Sequence, residues 1–271
     1  MLSQVIARWR QDVETVATEQ ISAAVGRLDP LDLDELDAVR LLDRVDTKFL
    51  LRDWQLVDIL AHVGAHYRVL AATPARINRY RTLYFDTEDL LFYHQHHNDF
   101  HPRYKVRCRE YVDSGIYFME VKCKTNRRRT VKQRMPTERL VQRLAGEARD
   151  FVQAYCPADV NTLMPCLLNE FGRITLVSKE LPERLTIDVN YRHMWHNRAG
   201  GLPGLVIAEV KQPKFTQNSA FVHALRDHGI RKMGFSKYCA GIMDLYPHVR
   251  YNRFKRRFIM LERLSRQRGN Q

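Results

Sequence analysis

The chain has no long apolar run. Nothing in its 271 residues approaches the ~20 consecutive apolar residues that a membrane-spanning helix needs. The opening MLSQVIARWRQDVE has no uncharged core of the kind a secretory leader carries, so a soluble, cytoplasmic protein is expected. The five cysteines are scattered, odd in number and without a C-x-x-C pair. They suggest a reducing compartment and small apolar roles rather than a disulfide framework. A P-loop is missing too: Gly200-Gly-Leu-Pro-Gly204 lacks the Lys and Ser/Thr of that motif and precedes a strand-like run. There is no short repeat, low-complexity segment or standard DNA- or RNA-binding signature, and no nucleic-acid partner is expected. Carboxylates are also scarce. Asp and Glu number 31 against 44 Lys and Arg, a formal net charge of +13. Such a balance points to a polyanionic partner, and alone it does not choose among nucleic acid, anionic membrane and phosphorylated molecules.

What the chain does have is a set of strands charged on one side only. In Arg103-Tyr-Lys105-Val-Arg107-Cys-Arg109 the period-two geometry of a strand sends four cations one way and Tyr104, Val106 and Cys108 the other. Glu120-Val-Lys122-Cys-Lys124 does the same after an Asp113-Ser-Gly115 turn, and Thr130-Val-Lys132-Gln-Arg134 resumes the pattern. Solvated faces normally mix signs. Several strands with the same one-sided charge predict an α+β protein built on an antiparallel β-barrel, a tunnel with a basic interior flanked by helices. Lys48, Arg81, Arg103, Lys105, Arg107, Arg109, Lys122, Lys132 and Arg173 are the expected lining, with Arg134 and Lys211 on the same alternation. Arginine forks and lysine point charges are what grip phosphate oxygens.

Around this unit, residues 1–40 read as a helical segment, with Val5, Ile6, Trp9, Val13, Val16 and Ile21 at three- and four-residue steps. Residues 41–247 form the tunnel domain and 248–271 a basic amphipathic helix able to meet a membrane surface or a protein partner. Residues 53–63, 138–154 and 217–228 have helical patterns. His94-Gln-His96-His97-Asn-Asp99-Phe-His101 reads as a polar loop. Glu120 and Glu209 sit beside lysines. Either can form a charge pair or hold Mg2+ or Mn2+ shared with substrate phosphates, Glu209 being the favoured ligand.

With these residues in hand the chain resembles the VTC domain, a member of the triphosphate tunnel metalloenzymes related to the CYTH phosphatases. The resemblance covers roughly residues 40–245. It rests on Arg44-x-Asp46-x-Lys48-Phe, Leu83-Tyr-Phe-Asp86-Thr, Arg103-x-Lys105-x-Arg107-x-Arg109, Glu120-Val-Lys122, Lys132-Gln-Arg134, Phe171-x-Arg173, Arg184-Leu-Thr-Ile-Asp188, Glu209-Val-Lys211 and Phe235-Ser236-Lys237-Tyr238. It implies ATP-dependent synthesis of inorganic polyphosphate with Mn2+ or Mg2+. Lys48, Arg107, Arg109, Lys122, Lys132, Arg173 and Lys237 would be the phosphate clamps, Glu209 the metal ligand and Ser236 a hydroxyl donor. The competing readings are a triphosphate hydrolase on the same scaffold, with Glu120 near the water, and a non-enzymatic polyanion-binding module.

Overall fold

Period-two alternation places one side chain in two on the same face, and the strands obey it over long stretches. The computed structural model describes residues 16–38, 44–72, 75–127 and 129–266. Among these, eleven strands join one sheet, whose main path runs β2 (Val45–Arg52), β11 (Leu205–Gln212), β9 (Arg184–Trp195), β8 (Met164–Ser178), β4 (Asn78–Asp86), β5 (Arg103–Tyr111), β6 (Ile116–Lys124) and β7 (Thr130–Thr137). Every neighbouring pair on this path is antiparallel. The short β1 (Asp29–Leu31) pairs parallel with β3 (Tyr67–Leu70), which joins β8, and β10 (Arg198–Gly201) pairs with β9.

The expected closed barrel is corrected in one respect: β2 and β7 are not paired with each other, so the sheet is open. β7 has the composition of an edge strand, with Lys132, Arg134 and Pro136 resisting a further ladder. Both ends of the sheet nevertheless reach one cavity, through Lys48 of β2 and Thr130 of β7.

Register fixes which side chains share the cationic face. Lys105 lies opposite Lys122, which lies opposite Lys132, and Arg107 opposite Glu120, which lies opposite Arg134. The other face is apolar and covered by helices, which inverts the usual arrangement of a half-buried sheet. α1 (Val16–Gly26) is followed by the short α2 (Leu33–Ala38); α1, α3 (Asp53–Val63) and α6 (Ala220–Asp227) bury Leu51, Val206, Ile187 and Leu176. α5 (Gly146–Tyr155) and the segment before it cover Val106, Cys108, Met119 and Val121. Each such buried side chain contributes about 1.5–3 kcal/mol against the entropy of ordering it.

Val5, Ile6, Trp9 and Val13 lie outside the described residues. Two local expectations change. The 138–154 helix begins only at Gly146, because Leu140, Val141 and Leu144 pack on the sheet as irregular chain instead. The histidine-rich segment is a helix, α4 (Leu91–His97), rather than a loop. Its start is held by a buried carboxylate: Asp86 accepts from the backbone N–H groups of Thr87 and Phe92 at 2.8 Å each and of Tyr93 at 3.0 Å. Asp86 also accepts from the Tyr238 hydroxyl of α7 (Lys237–Leu245). One side chain thereby joins β4, α4 and α7, and burial pushes its pKa up against these hydrogen bonds.

Asp86→Ala strips the acceptor from two buried amides, one half-buried amide and a hydroxyl. We expect a loss of about 3 kcal/mol in urea unfolding. A loss under about 0.5 kcal/mol would show that these groups find other partners.

Candidate functional site

The cationic face opens into a cavity of about 890 Å3. Lys48 reaches it from β2, Arg103 and Lys105 from β5, Lys122 and Lys124 from β6, Glu209 from β11, and Ser236 from the start of α7. Arg107, Arg109, Lys132, Arg134, Arg173, Lys211 and Lys237 belong to the same face or its edge but stand back from this cavity, most of them held by neighbours.

Three carboxylates hold them. Glu120, wholly buried, accepts from Arg107 Nε at 2.6 Å through Oε2 and pairs with Lys132 Nζ through Oε1. Asp188 takes a bidentate fork from Arg173 (2.6 and 2.8 Å) and also the Lys237 ammonium. Glu209 binds Lys211 Nζ at 2.6 Å through Oε2 and faces Lys48 at 3.9 Å through Oε1. Burial pushes all three carboxyls up, but the flanking cations outweigh it and keep them well below the usual carboxylate range.

Aromatic faces hold part of the remainder. Arg109 lies over Tyr80 with its charge 5.6 Å from the ring centroid, and Arg173 over the same ring at 5.0 Å. Lys237 stands over Phe171 at 4.3 Å, and Arg134 over Phe118 at 4.8 Å. Ser236 caps α7 by accepting from the Cys239 N–H, and also accepts from Lys105 Nζ at 2.9 Å. Arg103 binds Asp99 at 2.5 Å.

Lys105 and Lys122 make no salt bridge to a carboxylate among the described residues. They face each other across the β5–β6 ladder. Burial pushes the Lys122 ammonium down to about 7, with Lys105, Lys48 and Arg107 adding to the effect. Lys105 is pushed down to about 8, again chiefly by burial. An anion entering here meets two lysines that make no salt bridge among the described residues, Glu209 reaching Lys122 only at a distance.

One expected lining residue is elsewhere. Arg81 points to the opposite face, where it pairs with Glu110 at 2.8 Å and faces Glu170 at 3.6 Å. Tyr80, Thr82 and Tyr84 take the inner positions of β4, opposite Tyr111, Arg109 and Arg107. Asp188 and His96 are functional neighbours that sequence reasoning left without a role. Asp188 sat in view, on the strand alternation of Arg184 and Thr186.

The donor set bears on the metal. Among the described residues no group of three or more His, Cys, Asp or Glu is placed to hold an ion. Both oxygens of Glu120, the second expected ligand, face cations, Oε2 through a hydrogen bond from Arg107 and Oε1 through an ion pair with Lys132. Glu209 keeps Oε1 at long range from its lysine. One carboxylate of this kind fits a hard cation that arrives on phosphates, since Mg2+ commonly takes one or two protein carboxylates and the rest from substrate and water.

A family model for the VTC domain matches residues 43–246. The chain belongs to the VTC domain family. Among curated proteins none matches. Resembling solved structures include a proposed adenylyl cyclase from Hippeastrum described with a dominant triphosphatase activity, at 13% identity and TM-score 0.47 over 74% of this chain and 96% of that one. A proposed adenylate cyclase from Bacillus halodurans is 12% identical, with TM-score 0.46 over 72% and 94%. With scores this low, neither bears on the function of this VTC domain. No helix among its described residues is long and apolar enough to cross a membrane.

The lysines of the VTC domain make its stability pH-dependent in a defined direction. A lysine whose pKa folding depresses binds fewer protons folded than unfolded between the two values, so stability rises with pH across that window. Lys122 enters its window near 7, and Lys105, Lys132 and Lys237 near 8. The ligand-free protein should melt at higher temperature at about pH 8 than at about pH 6, and Lys122→Met should flatten that slope. Calorimetry showing a flat or falling profile would contradict the uncompensated pair.

Proposed function

We propose that this VTC domain is a cytoplasmic phosphotransferase that moves the ATP γ-phosphoryl group onto a growing inorganic polyphosphate chain. The observation that carries the reading is the opposed Lys105–Lys122 pair, with Lys48 and its distant Glu209 partner beside it, facing a cavity large enough for a chain of phosphates. Residues 41–247 would be the catalytic unit, and 1–40 and 248–271 its flanks.

Phosphoryl transfer asks a protein mainly to position reactants and offset charge. Lys48, Lys105, Lys122 and Arg103 would grip the transferring phosphates. Arg107, Arg109, Lys132, Arg173 and Lys237 would extend the track along the face. Mg2+ or Mn2+ carried by the nucleotide would offset charge on the phosphates, with Glu209 as its protein ligand. A polyphosphate end is already an anionic nucleophile and needs no general base.

Water as acceptor would need one, and the chain is poorly supplied. Glu120 is clamped between Arg107 and Lys132, and its carboxyl is held far below the range of a useful base. That geometry favours transfer over hydrolysis.

Incubating the protein with ATP and Mn2+ should give long polyphosphate on a gel. Lys122→Ala should lower kcat/KM by roughly 100-fold, the scale of losing one preorganised charge donor. Arg81→Ala should cost stability while leaving activity per folded molecule within about twofold. Release of free phosphate without polymer would make the protein a hydrolase. An inactive protein that binds nucleic acid with a steep salt dependence would overturn the enzyme reading altogether.

A further inference from the structure

The cavity has two unlike walls. The strands supply its cations. The other wall is apolar and comes from Met233 and Phe235 of the segment before α7, Met243 of α7, Phe254, and Phe258 and Leu261 of α8 (Lys255–Arg266). Phe254 and Leu261 are buried in their own packing, whereas Phe258 remains half-exposed. At about 890 Å3 the space is near the upper end of small-molecule pockets, about 300–1,000 Å3. A chain of phosphates has no apolar atom to set against such a wall.

His96 stands at this cavity as well, its ring 6.1 Å from that of Phe254 and its Nδ1 buried without a hydrogen-bond partner. The charges that face it are Lys105 and Arg103 from β5, Lys48 from β2 and Lys124 from β6. Burial first, and these cations second, hold its pKa far below the usual imidazole value. It is therefore a neutral hydrogen-bonding group, suited to a neutral part of a ligand.

We infer that the apolar wall is a nucleoside subsite, in which Phe258 receives the base of a nucleoside triphosphate while the strand lysines hold its phosphates. The inference rests on the proposed reading of the cationic wall, and adds that the donor is distinguished from polyphosphate by its base. Aromatic side chains stack on bases with little regard to sequence, because every base offers a π face. Phe235 and Phe258 are the half-exposed rings of this wall; Phe235 packs on the core around Tyr191 and Phe171, which leaves Phe258 for the base, and Met233 and Met243 adapt in shape to a flat partner.

Calorimetric titration with ATP and with methyl triphosphate, which has the same triphosphate ester and no base, separates the two walls. The full chain should bind ATP about tenfold or more tightly than methyl triphosphate, the low end of what stacking contributes. Phe258→Ala should remove that preference and leave methyl triphosphate affinity unchanged. Phe258→Trp should keep the preference, which guards against an alanine variant that fails to fold. Equal affinity for the two ligands in the unaltered chain, or equal weakening of both by Phe258→Ala, overturns the subsite and leaves the phosphate site standing. Binding of neither ligand removes both readings together.

Discussion

Like charges repel, and the inner face of this sheet collects them. Two unit charges at 4 Å repel by about 4 kcal/mol at the effective dielectric of a protein surface, so a row of cations on adjacent strands is not self-sustaining. The three carboxylates answer this by position. Glu120 stands between Arg107 and Lys132, Asp188 between Arg173 and Lys237, Glu209 between Lys211 and Lys48. Each meets cations carried by different elements, so each also ties the scaffold together. Among the described residues salt-bridge pairing stops at Lys105 and Lys122, which makes the site's affinity and the fold's local instability two aspects of one arrangement.

The helices on the inner side are drawn into the same balance. α7 begins at Ser236 and Lys237, where a lysine opposes the partial positive charge of a helix start. Asp188 offsets that conflict, and Ser236 caps the first turn while accepting from Lys105. Asp86 then fixes α7 to α4, and so places His96 at the cavity wall. A change at the phosphate-facing lysines is thus felt by a helix whose side chains form the apolar wall.

Much of this was legible in the alternation. The charged strands, the Asp113-Ser-Gly115 hairpin and the helix at 53–63 all formed where the pattern put them. What failed was whatever depends on register or on distant partners. Arg79-Tyr-Arg81 shows two faces but not which one meets β5, and a one-residue difference sends Arg81 outward. α4 owes its start to Asp86 and, through it, to Tyr238 far along the chain, so its histidines read locally as a polar loop. Closure of the sheet was equally hidden, since the edge character of β7 lies in its composition and pairing rather than its periodicity.

The same charge balance constrains how a metal could take part. A divalent ion held by the protein alone would have to take Glu209 from Lys211 and Lys48, freeing two cations beside the ion itself. That exchange adds repulsion to a face already short of carboxylates. An ion arriving on a triphosphate brings its own negative charge and asks Glu209 for a single oxygen. Under the proposed function, nucleotide and metal would therefore bind as one unit. The scarcity of carboxylates that marks the sequence would then reflect a site whose missing anion is its substrate.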